Sequence, residues 1–124
     1  MKRSLFALAL AAPLFAAAQD LPQPSPKGKV EQVVGLTNVS VEYSRPSAKG
    51  RVVFGELVPC SKLWRLGANA NTLFSFDGPV VIGGNKVEAG KYSLFVTPEQ
   101  GAWIFHLNKN TELWGTDGYK PEEN

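Results

Sequence analysis

Between Thr72 and Leu107 the chain is broken so often by turn signals that no helix of ordinary length fits. Gly83-Gly84-Asn85, Ala89-Gly90 and Pro98-Glu99-Gln100-Gly101 separate short runs rich in β-branched and aromatic residues. Each turn carries residues that tolerate positive φ or preset it, as closely spaced hairpins require. The spacing predicts strands over 72–76, 80–82, 86–88, 91–97 and 102–107, with a further short piece near Glu112–Gly115. Upstream, 30–34 is β-branched. From 38 to 44 the chain alternates, Val39, Val41 and Tyr43 on one face against Asn38, Ser40 and Glu42 on the other. No segment shows a helical stripe. These signals predict an all-β fold, a single antiparallel β-sandwich or jelly-roll-like domain with a long loop region, and a partly closed barrel is the other closure that such strands allow.

The N-terminus reads differently. Lys2-Arg3 precede an apolar run from Leu5 to Ala18 that ends in three alanines. A basic start, a short apolar stretch and small residues predict a secretory signal peptide over 1–18, cleaved near Ala18, for export from a bacterial cytoplasm to the periplasm or beyond. The run is shorter than the roughly 20 residues a membrane-spanning helix needs, so no stable span is expected after cleavage. The Pro-rich segment 19–29 reads as an extended, unpaired lead-in, because proline fixes φ and removes amide donors. The β-domain is then expected over 30–124.

Losing Lys2 and Arg3 leaves eleven basic against eleven acidic side chains. A neutral domain of this kind gives no electrostatic reason to expect nucleic acid as a partner. One cysteine, Cys60, cannot form an internal disulfide, so the core alone must hold the fold. As a free thiol it is expected to be a small buried apolar group.

The middle of the chain, 45–71, lacks sustained periodicity and is punctuated by Pro46, Gly50, Gly55, Pro59 and Gly67. Loops of that length in compact domains usually carry function, which makes this the first place to seek a site. Arg45, Arg51, Trp64, Arg65 and Asn69 are the candidate ligand-binding residues. Guanidinium forks hold carboxylate or phosphate, an indole offers a stacking face, and a carboxamide both donates and accepts. Together they suit a small or glycan-like ligand. The structural reading of the same residues has the arginines bridging loop carbonyls and carboxylates such as Glu42 and Glu56, with Trp64 packed over the sheet.

Several segments here form a recognisable set: Val41-Glu42-Tyr43-Ser44-Arg45-Pro46, Gly50-Arg51, Phe54-Gly55-Glu56-Leu57-Val58-Pro59, Trp64-Arg65-Leu66-Gly67-Ala68-Asn69 and Ala89-Gly90-Lys91-Tyr92-Ser93-Leu94-Phe95. This set, running from about Leu21 to Trp114, resembles the exported bacterial domain-of-unknown-function family 2911. The resemblance implies an exported domain and no particular reaction. The chain departs from the family pattern at Cys60-Ser61, and it stops soon after Trp114-Gly115, where members continue; a shortened copy with an exposed sheet edge is the corresponding expectation.

Catalysis has weaker support. His106 is the sole histidine and is expected in a strand beside Ile104, with no nucleophile brought to it by spacing. The carboxylates are scattered without a calcium-loop or paired acid/base motif, and one His with one Cys makes no zinc set, so neither a metal nor a cofactor is implied. An envelope hydrolase using a carboxylate or His106 remains the enzymatic alternative, and it requires Glu56, Asp77 or His106 to converge with Arg45 and Arg65. The third alternative is a structural or partner-binding domain completed by an added strand.

Overall fold

The computed structural model describes residues 21–124. The expected signal peptide lies outside the described residues. The fold is all-β and sandwich-like, built on one five-stranded antiparallel sheet. In it β1 (Lys27–Val34), β2 (Thr37–Ser44), β3 (Thr72–Phe76), β6 (Gly90–Pro98) and β7 (Trp103–Asn108) lie side by side in that order. Between β3 and β6 the chain makes a small antiparallel ribbon from β4 (Val80–Ile82) and β5 (Asn85–Val87), and one 3-10 turn closes the chain at Pro121–Glu123.

Strand β1 starts at Lys27, earlier than the sequence suggests. Once past Pro26 every residue has a free amide, and Lys27, Gly28 and Lys29 pair with Ser44, Tyr43 and Glu42. The unpaired lead-in is therefore shorter than 19–29. Gly28 also has a packing reason, since a Cβ there would come within 3.0 Å of the Tyr43 ring, which lies across it. The β1–β2 turn needs only Gly35 and Leu36. Gly35 takes φ 63°, as the mirror-image turns that match strand twist require.

Cross-strand register separates the sheet into two faces. Val39, Val41, Phe74, Phe76, Tyr92, Leu94, Val96, Phe105 and Leu107 share the apolar one. Phe76 stacks on Tyr92 with ring centres 5.4 Å apart, and Phe74 meets Phe76 edge-on at 5.3 Å. Burial along this face is concentrated at Phe76, Tyr92 and Val96, while Val30 and Phe105 at its two edges are more than half exposed.

The opposite face is polar and is roofed by the C-terminal segment. Asn71, Ser93 and Asn108 are buried side chains on or beside this face, and each reaches the tail. Asn71 donates to Ser93, whose hydroxyl donates in turn to the Asn110 carbonyl. Asn108 donates to the Lys120 carbonyl at 2.9 Å and accepts from the Asn110 amide at 3.0 Å. Under this roof Phe95 is fully buried, its ring 5.1 Å from that of Tyr119. Buried polar groups are tolerated because each finds a partner, and here those partners fix the path of a segment that has almost no regular structure.

The long loop closes on itself once and is tied to other segments along its second half. Phe54 and Val58 bridge each other across a tight turn. Trp64 bridges Val96, so the segment 61–64 runs beside the second half of β6, beyond the point where β3 stops pairing with it. Ala70 bridges Trp114. The sequence places short pieces at 52–54, 63–64 and 112–115, and each of these stretches contains one of the bridges.

Candidate functional site

Those ties bring three stretches of loop together around one cleft of about 500 Å³. Its apolar wall is Val53, Leu57, Val58, Leu63 and Trp64, and its polar rim includes Ser25, Ser47, Arg51, Arg65 and Thr116. A mostly apolar concavity with a few convergent polar groups is the usual form of a small-molecule site. The backbone around it is held in uncommon conformations. Ser61, Leu66 and Asn69 have φ of 57°, 56° and 60°, which costs on the order of 1–3 kcal/mol each and persists only where surrounding contacts enforce it.

Trp64 is fixed on two sides. Its backbone bonds to Val96, and its indole meets Phe54 at 6.1 Å and Trp103 at 6.4 Å, both edge-on. Phe54 and Trp103 close the triangle at 5.2 Å. The packed indole thus has a structural duty as well as a surface in the cleft.

The arginines divide. Arg51 is a loop clamp: its Nε donates to the Ala48 carbonyl and its Nη2 to the Ser47 carbonyl, both at 2.9 Å. Arg65 is half-buried and makes one long bond, Nε to the Gly67 carbonyl at 3.4 Å. Its guanidinium lies against Gly115, where an added Cβ would come within 2.8 Å of Nη1. Among the described residues no carboxylate pairs with Arg45, Arg51 or Arg65. Arg65 therefore presents unpaired donors at the rim of an apolar pocket, a suitable arrangement for a carboxylate or phosphate.

Of the sequence-derived residues, Arg51, Trp64 and Arg65 meet in the cleft. Arg45 is exposed and Asn69 sits in the turn that pairs with Gly115, its carbonyl accepting from the Gly115 amide at 3.4 Å; neither lines the cleft. Glu42 faces Lys91 instead of an arginine. Thr116 and Ser25 join the rim without a signal in the sequence, because only the Ala70–Trp114 pairing and the start of β1 carry them there.

The remaining reactive groups lie elsewhere. Asp77 accepts from both the backbone amide and the carboxamide of Asn38, and these bonds, the side-chain one foremost, hold its carboxyl below the ordinary carboxylate range. His106 lies on the polar face, with Nε2 3.0 Å from Thr97 Oγ1 and its ring beside Tyr119, and partial burial lowers its pKa. Cys60 is exposed, which corrects the expectation of a buried thiol. It occupies the exposed turn between Pro59 and Ser61, whose amide donates to the Pro98 carbonyl. Among the described residues no group of His, Cys, Asp and Glu side chains is placed to hold a metal ion, and no helix is long and apolar enough to cross a membrane.

An open depression of similar size at the β1–β2 hairpin is lined by Glu31, Asn38, Ser75 and Asp77 among others. Its Asp77–Asn38 pair already satisfies itself, so the loop cleft is the stronger candidate.

Fold and cleft together define a class: a small β-domain with a loop-built pocket on the flank of its main sheet. The chain belongs to the family described as Protein of unknown function (DUF2911), whose model matches residues 25–124. No curated protein and no solved structure matches the chain.

Proposed function

We propose that this domain is an exported, non-catalytic binding module that takes a small or glycan-like ligand bearing an anionic group into the cleft between residues 46–68 and Thr116. The observation that carries the reading is that Trp64 in the apolar wall and Arg65 on the polar rim line the same cleft, with the Arg65 donors free of any carboxylate. The indole offers area to a ring or acyl body while the guanidinium supplies direction and charge selection.

The hydrolase alternative needs an acid, base or nucleophile at the same place. Glu56, Asp77 and His106 are all absent from the cleft lining, and the first requirement of general acid–base chemistry is reach.

The test is thermal unfolding of residues 19–124 with and without inorganic phosphate, glucuronate and N-acetylmuramic acid, with N-acetylated chito-oligosaccharides as the uncharged comparison. A ligand that binds only the native state raises the midpoint by mass action. A shift with one class, lost in Arg65→Ala, supports the reading. A cooperative transition that moves with none of them counts against it.

A further inference from the structure

Strand β1 forms one outer edge of the main sheet, and among the described residues nothing bonds to its far side. Natural edges are usually blunted by brevity, proline, a bulge or charged side chains, Lys above all; the charges of β1, Lys27, Lys29 and Glu31, are of both signs, so a partner edge of matching pattern can neutralise them. The strand is eight residues long, pairs with β2 residue for residue, and has no proline after Pro26.

Which backbone groups point outward follows from the ladder. The Arg45 amide bonds to the Pro26 carbonyl at 2.9 Å, so Pro26 occupies a hydrogen-bonded site facing β2. Antiparallel pairs alternate, which turns Gly28, Val30, Gln32 and Val34 toward β2 and leaves the amides and carbonyls of Lys27, Lys29, Glu31 and Val33 free. The tight turn joining Val34 to Thr37 agrees with that alternation.

A second β1 laid antiparallel against the first must place outward residues opposite outward residues. Centring the pair on Lys29 or on Glu31 sets like charges face to face, which is unfavourable. Centring it on Val30 sets Lys29 opposite the partner's Glu31 and Glu31 opposite the partner's Lys29. Lys27 then faces the partner's Val33. This register also engages all four outward residues of each strand, more than either neighbouring one. Within one chain Lys29 Nζ already lies 2.6 Å from Glu31 Oε1 on the same face, so the four charges would close into an alternating ring. We infer that β1 is a self-complementary edge through which two copies of this chain join into one continuous sheet, with Val30 on the two-fold axis.

Sedimentation velocity of the full chain across a wide concentration range tests this. The expected result is a reversible dimer that Lys29→Glu or Glu31→Lys alone weakens about tenfold or more, and that the double variant K29E/E31K restores, because the swap again opposes unlike charges. Both side chains are exposed, and circular dichroism confirms that each variant is folded. A wild-type chain that stays monomeric throughout, or a dimer indifferent to the single reversals, overturns the inference.

Discussion

Trp64 and Val96 exchange both of their backbone hydrogen bonds, at 2.7 and 2.9 Å, although one belongs to an irregular loop and the other to the second half of β6. The exchange makes the loop a surrogate strand where β3 has stopped, and it places Trp64 and Arg65 at the cleft. The indole that sits there is locked by Phe54 and Trp103. Replacing Trp64 by Ala is expected to cost about 2–3 kcal/mol, below the range for a fully buried aromatic because this indole is only half-buried. Trp64→Phe should recover most of the loss, as read from urea unfolding.

Asn71 ties the end of the loop to the tail. Asn71→Ala leaves the Ser93 hydroxyl short of one partner and removes a bond to the Thr111 carbonyl, at an expected cost of about 1–3 kcal/mol. Hydrogen exchange should quicken locally at Asn71, whose own amide bonds to Leu113, and at Gly115, whose amide bonds to Asn69. The amides of β2 should be unaffected.

Two pH windows should be separable. His106 has a lowered pKa in the fold, so the unfolded chain binds its proton first. Stability is complete above about pH 6.5 and falls as the pH drops through the folded value. Asp77 is also lowered, but from 3.8, so its contribution is complete above that pH and is lost only in stronger acid. Thermal midpoints of His106→Gln should be flatter than wild type between pH 7.5 and 5, and those of Asn38→Ala should differ in shape only below about pH 4.

Gly115 separates packing from recognition. Its φ of 69° is unfavourable for a side chain, and a Cβ would collide with Arg65 Nη1. Gly115→Ala should therefore displace the guanidinium and abolish ligand-induced stabilisation, with a loss of stability on the order of 1 kcal/mol. Calorimetric titration against the ligand found for wild type checks the first effect, and denaturant unfolding the second.

The strands were legible because their signals are local. The alternation of Val39, Val41 and Tyr43 and the glycines of the hairpin turns place β2 and the 72–107 meander within a residue or two of where they lie. The start of β1 was less legible, since Lys27, Gly28 and Lys29 carry no β preference and pair only because β2 offers them a partner. Arg51, Trp64 and Arg65 were findable from residue chemistry inside an aperiodic loop. Nothing local separates the clamp Arg51 from the freer Arg65, or brings Thr116 to the rim, because both depend on carbonyls and bridges contributed by other segments. Cys60 misled for the same reason: its type favours burial, but the turn that holds it is exposed.

If the cleft at Trp64 and Arg65 takes the ligand, amide chemical-shift mapping during titration with the probe that stabilises the wild-type chain shows it. The largest shifts are expected at Arg51, at Leu63 through Gly67 and at Thr116, with β1 and the Asp77 region silent. Shifts centred instead on Asp77 or His106, or spread evenly over the sheet, would contradict it.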